Sequence, residues 1–264
     1  MNRNTHAAVR LIAFFILVTV PTALFAVEII TGETSRRIDD TVEDDAVVLG
    51  ETLVFEGSVE SLIFFGESLF MSGDNAGNLV AAAKELEIDG RVADDTFVAG
   101  RRVSLSGELG NTTFAAGETV ALTPRGTVNG SLLVGARNTE IAGTVNGDLY
   151  VGTDSLVLSG TVNGDVTVGA GEITLTEGAV VTGDLTYDTK DELSDAERSR
   201  VGGTVSRTDF GDPEDKPAWH GAGKWVFRII ASLSVLVFAL VFYLFPGTRR
   251  LDAERGHRRF WKTI

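Results

Sequence analysis

From Asp44 onward the chain keeps returning to one pattern: an apolar triplet, a glycine, two variable residues, alternating apolar residues, a second glycine and a turn. Val47-Val48-Leu49-Gly50 is followed by Leu53, Phe55 and Gly57. Phe97-Val98-Ala99-Gly100 is followed by Val103, Leu105 and Gly107, and Leu149-Tyr150-Val151-Gly152 by Leu156, Leu158 and Gly160. The first landmark of each copy falls at Gly50, Gly66, Ala83, Gly100, Gly117, Gly135, Gly152 and Gly169, in steps of 16, 17, 17, 17, 18, 17 and 17 residues. Gly-Thr-Val-Asn-Gly recurs verbatim at 126–130, 143–147 and 160–164. Apolar residues two apart mark strands. A period near 17 is too short for leucine-rich repeats or propeller blades, whose helical and Trp-Asp signatures are also missing. Short strands and tight turns therefore close one coil of a solenoid, and successive coils pair as parallel strands about 4.8 Å apart. The fold predicted over 44–207 is an all-β, single-stranded parallel β-helix of about eight to nine coils, roughly 40 Å tall. Inward Val, Leu, Ile and Phe would stack on their counterparts, with Val151 and Val168 on neighbouring rungs, because no single coil can bury its own apolar face.

Glycine and asparagine are read as corner residues, where positive φ favours them. Asn129, Asn146 and Asn163, each followed by Gly130, Gly147 or Gly164, are expected to stack as a ladder of amides. Asp148, Asp165 and Asp184 follow at matching places. They read as solvated corner carboxylates or as a file of calcium ligands; the calcium-binding nonapeptide repeat carries more glycines and acids, which favours the first. The repeat degrades after Asp184. A polar, helix-compatible stretch over 190–200 and a last coil near Val201–Val205 are expected to cap the stack.

Both ends carry membrane signals. Residues 1–26 have the parts of a secretory signal: Arg3 and Arg10, an apolar run from Leu11 to Val20, and a candidate cleavage site after Ala26, with an uncleaved anchor as the alternative reading. A lead segment spans 27–43. A linker over 208–224 leads to 225–245, an apolar stretch of 21 residues with a single charge, Arg228. At about 1.5 Å per residue it spans roughly 31 Å, the thickness of the hydrocarbon. The tail over 246–264 carries five Arg and one Lys against Asp252 and Glu254. That charge places it in the cytoplasm and the repeats on the other side of the membrane.

Composition narrows the function. Thirty glycines against 5 prolines fit corners between aliphatic runs rather than collagen or disorder. With no cysteine there is no disulfide framework, thiolate metal site or Cys nucleophile. From Val27 to His220 the chain has 35 acidic and 13 basic residues, a net of −22, which repels nucleic acid. The three histidines, His6, His220 and His257, all fall outside the repeats. The hexapeptide acyltransferases, whose coils are of similar length, need a histidine base between coils. Arg101-Arg102 is the one basic pair within the repeats, which does not resemble a polysaccharide lyase site. The chain is read as a non-enzyme with no cofactor and no metal.

The sequence resembles the bactofilins, bacterial polymer-forming scaffold proteins. The resemblance rests on coil length, on Gly-Thr-Val-Asn-Gly-Asp at 143–148 and 160–165, and on Gly-Ala-Val-Val-Thr-Gly-Asp at 178–184, and it covers roughly 44–207. It implies a right-handed helix whose ends join into filaments without nucleotide and which organises proteins of the cell envelope. Bactofilins are typically cytoplasmic; the signal and the apolar span make this chain more similar to exported, membrane-tethered relatives. In those, a junction like Phe-Pro-Gly-Thr-Arg-Arg at 245–250 leads into further membrane helices, expected beyond residue 264. The function expected is a membrane-anchored scaffold of the envelope that forms homo-oligomers or polymers through its ends. Phe64, Phe65 and Phe70 are the candidate contact residues. A module binding glycan or partner proteins is the alternative.

Overall fold

The computed structural model describes residues 28–31 and 35–208, within one compact unit that ends at Thr208. The signal, the linker beyond Thr208, the apolar span and the basic tail lie outside the described residues. Among the described residues no helix is long and apolar enough to cross a membrane.

The chain is an all-β parallel solenoid of about ten turns. It opens with β1 (Glu28–Thr31) and β2 (Arg36–Ile38). Eight ten-residue strands follow: β3 (Ala46–Phe55), β5 (Leu62–Met71), β7 (Leu79–Ile88), β9 (Thr96–Leu105), β11 (Thr113–Leu122), β13 (Leu132–Ile141), β15 (Leu149–Leu158) and β17 (Val166–Leu175). Between them lie two-residue strands: β4 (Ser58–Val59), β6 (Asp74–Asn75), β8 (Arg91–Val92), β10 (Glu108–Leu109), β12 (Thr127–Val128), β14 (Thr144–Val145), β16 (Thr161–Val162) and β18 (Val180–Val181). The chain then runs through β19 (Leu185–Asp188), a short helix α1 (Asp195–Arg198) and β20 (Val205–Arg207). The ten-residue strands pair with one another and, at the two ends, with β1, β2 and β19, and the two-residue strands pair with each other, so two parallel sheets climb the stack side by side. Val151 pairs with Val168 in register.

Each long strand turns a corner within itself. Its first, third, eighth and tenth residues are buried, for example Leu149, Val151, Leu156 and Leu158. A flat strand would bury every second residue. The odd step from third to eighth reverses that parity and lets both arms face the same core. The second residue of each short strand supplies a fifth inward position, mostly Val or Leu. Five ladders of stacked side chains therefore form one continuous core.

Three sequence expectations change. The lead segment is partly built in: β1 and β2 both pair with β3 and form a rung below it. The rungs advance by 16, 17, 17, 17, 19, 17, 17 and 19 residues, counted between first residues 46, 62, 79, 96, 113, 132, 149, 166 and 185. The apparent step of 18 from Gly117 to Gly135 conceals a jog, because Gly117 pairs with Ala136 and Gly135 with Ala116. Finally, no described residue, glycine or otherwise, has a positive φ. The corner glycines answer a different demand. A Cβ on Gly90 or Gly107 would collide with the carbonyl of the glycine one rung below, Gly73 or Gly90. Glycine is required there by close approach between coils.

Candidate functional surfaces

Two corner ladders run along the stack. Asn146 Nδ2 donates to Asn129 Oδ1 at 3.0 Å, and Asn163 Nδ2 to Asn146 Oδ1 at 2.9 Å. Asn129 Nδ2 donates to Glu108 Oε1 at 3.1 Å, so the amide file ends on a carboxylate. Gly130, Gly147 and Gly164 follow in the same corner; a Cβ on Gly147 would lie 2.7 Å from the Gly130 carbonyl carbon.

The second ladder sits just before each long strand. The Asp165 backbone N–H donates to Asp148 Oδ1 at 2.9 Å, Asp184 N–H to Asp165 Oδ1 at 2.8 Å, and Thr204 N–H to Asp184 Oδ1 at 2.6 Å. Lower down, Asn78 Oδ1 accepts from Asp95 N–H at 3.2 Å and Asp95 Oδ1 from Thr112 N–H at 3.0 Å. Each side chain thus accepts an amide that the corner geometry would leave without a strand partner. Among the described residues no group of three or more His, Cys, Asp or Glu side chains is placed to hold a metal ion.

The two ends of the stack differ. At the start, β1 and β2 present strands on both arms, each paired on one side only. At the far end the first arm continues through β19 to β20, but the second arm of β17, Gly171–Leu175, meets no further strand. The segment carrying α1 covers it. Glu197 Oε1 accepts the Leu175 N–H at 3.3 Å, and the Arg200 guanidinium donates to the Leu175 carbonyl. Two side chains thus take the backbone bonds of a missing strand. Ser194 fixes α1 through a capping box with Glu197. Leu193 closes the core from above, 5% exposed. Burial alone would raise the Glu197 pKa, but the hydrogen bonds from Ser194 and Leu175 and the charge of Arg200 outweigh it and hold the carboxyl below its ordinary range.

The three phenylalanines singled out from sequence separate. Phe64 is fully buried and belongs to the core, so it presents no contact surface. Phe65 faces outward on the first arm, 36% exposed, and Phe70 lies half-buried on the outer side of the second arm. The run Leu62-Ile63-Phe64-Phe65 is apolar at every position, so its inward parity was illegible without the register.

The outer side of the first arm carries a feature that sequence reasoning missed. The second residue of each long strand points outward there: Val80, Phe97, Phe114, Leu133 and Tyr150 on five consecutive rungs. The fourth residue lies beside it: Ala82, Ala99, Ala116, Gly135 and Gly152. A ridge of large apolar side chains therefore runs next to a shelf of small ones. Phe97 and Phe114 stack with ring centroids 5.0 Å apart and planes 6° from parallel. Tyr150 donates to Asp148 Oδ2 at 3.2 Å; burial, then the charge of Asp148, push its hydroxyl pKa up, so it stays a neutral donor. Aligning the second and fourth residues of each copy would have revealed both rows.

No family model, curated protein or solved structure matches the chain.

Proposed function

We propose that the chain is a non-enzymatic structural scaffold of the bactofilin kind, held at the cell envelope by its apolar C-terminal span and associating with copies of itself through the ends of the solenoid. The observation that carries this reading is the first rung. β1 and β2 leave one backbone edge of each without a partner among the described residues, above a core that continues to Ile38 at the end of the stack. Such an edge is a template for another chain's strands. The body's net charge of −22 between Val27 and His220 keeps copies soluble and makes their meeting sensitive to salt.

The segment Val27–Asp209, expressed alone, tests the reading. It should give β-rich circular dichroism and assemble as concentration rises. A profile that stays monomeric at high concentration removes end association while leaving the fold intact. For the orientation, a reporter fused after Ile264 should be active only in the cytoplasm; activity on the other side overturns it.

A further inference from the structure

Two rungs invert the usual partition of apolar residues. In β9 and β11 the first residues, Thr96 and Thr113, are fully buried, and their hydroxyls have no hydrogen-bond partner. Their neighbours Phe97 and Phe114 point outward, Phe97 being 38% exposed. A one-residue shift of register would bury both rings and expose both hydroxyls. The fold instead holds unpaired polar groups inside and aromatic rings outside. A local rule broken without local gain marks a surface under another demand.

The shelf points the same way. A Cβ on Gly135 or Gly152 would meet nothing within 4 Å, unlike the crowded corner glycines. Nothing in the chain itself requires glycine there, and glycine weakens a strand interior. Glycine in a strand without such a need marks the close approach of another backbone.

We propose that this face is an interface between two copies of the chain, packed side by side with parallel axes. Shape selects the occupant. A two-fold axis along the rod, over the third residue of the strands, lays each ridge on the partner's shelf at the same height: Phe97 over Ala99, Phe114 over Ala116, Leu133 over Gly135. Reversing one rod would instead set ridge on ridge and leave the shelves empty. An isologous pair needs a self-complementary surface, and a ridge beside a shelf of equal length is one.

Charge agrees. The parallel arrangement brings the sixth residue of each strand to the partner's residue before the strand, which sets Arg101 against Asp95. The Arg101 side chain makes no ion pair or hydrogen bond among the described residues. Lys84 then meets Asn78, Glu118 meets Thr112, and Arg137 meets Ser131. Like charges face only on the last rung, Asp154 and Asp148, where Arg137 already lies 4.0 Å from Asp154. Five rungs at about 4.8 Å and five residues across at about 3.3 Å give a face of roughly 400 Å². Counted on both partners, that is below the usual size of a stable complex. The pairing is therefore weak and reversible.

The chain has no cysteine, so single thiols report contacts cleanly. Full-length protein carrying Leu133→Cys is mixed with full-length protein carrying Gly135→Cys and treated with a short bismaleimide. The mixed 133–135 product should exceed each same-site product at least threefold. Adding Phe97→Lys with Phe114→Lys, or Ala99→Arg alone, should lower it at least tenfold with the circular dichroism unchanged, because all three positions face outward. Same-site products that predominate, or cross-linking that survives both sets of substitutions, overturn the proposal. So does an absence of cross-linking together with a substitution-dependent loss of co-sedimentation with cell-wall polysaccharide, which would assign the face to glycan.

Discussion

Thr96 and Thr113 sit in a ladder that elsewhere holds mostly Leu, Ala and Val, and each keeps a hydroxyl away from water without a partner. Valine has nearly the same shape and no such group. Thr96→Val and Thr113→Val should each stabilise the fold by about 1 kcal/mol, the cost of an unmet buried hydrogen bond. Denaturant unfolding reads this directly, and a loss of stability would mean the hydroxyls have partners in solution. Inward positions with an apolar neighbour on one side only, such as Leu53, Phe55, Leu156 and Leu158, were legible from their spacing of two. Phe64 was not, because apolar residues flank it on both sides. The reason for glycine was not legible either. Composition cannot separate a left-handed φ from a carbonyl pressed against the Cα, and it is the second that operates at Gly90 and Gly107.

At the scale of elements, the cap on β17 is a strand edge closed by side chains. Its carboxylate sets a pH dependence. The folded pKa of Glu197 lies below the group's ordinary value of 4.5. Its contribution is therefore fully present above about pH 4.5 and fades as pH falls through the lower, folded value. Amide exchange at Leu175, corrected for intrinsic rate, should accelerate across that acid window. Glu197→Ala, which removes the acceptor, should abolish the pH dependence and leave exchange fast throughout. Protection that persists at low pH in the wild type would show that another group holds Leu175. The sequence marked 190–200 as helix-compatible and terminal, and α1 is there. Which backbone atoms it serves depends on pairings between residues 22 and 25 positions apart, which no local pattern encodes.

Along the described stack each rung pairs its strands with the rungs directly above and below, and the exposed Arg125–Asp89 ion pair reaches one rung further, so the stack behaves almost as a one-dimensional array. Residues 149–165 make one complete turn of 17, since Leu132, Leu149 and Val166 occupy the same place on successive rungs. Deleting all 17 should leave a folded, cooperative protein with a modestly lower Tm, because Val166 then pairs with Leu132. Deleting only 16 of them leaves a rung of 18, whose extra residue must be looped out at a corner to keep the inward positions aligned, and should lower the Tm further than the deletion of 17. Equal melting curves for the two deletions would refute the register. The coil period and the parallel stack were legible because the same residues return on every turn. The outer face was not, because attention to what must be buried passes over apolar residues that are left outside.

The two turns of unusual length point to a practical use. Thr123–Arg125 and Thr176–Gly178 each lengthen the same corner, and each is closed by a short backbone bond, Gly126 N–H to Thr123 O at 2.9 Å and Ala179 N–H to Thr176 O at 3.0 Å. The ladder resumes undisturbed after both, with Thr127 and Val180 again in line with the rung below. That corner is the seam at which the stack accommodates extra residues without losing register. An epitope or fluorescent domain spliced between Pro124 and Arg125 should ride on the outside of the column as a passenger, giving a label that leaves both termini and both flat faces untouched.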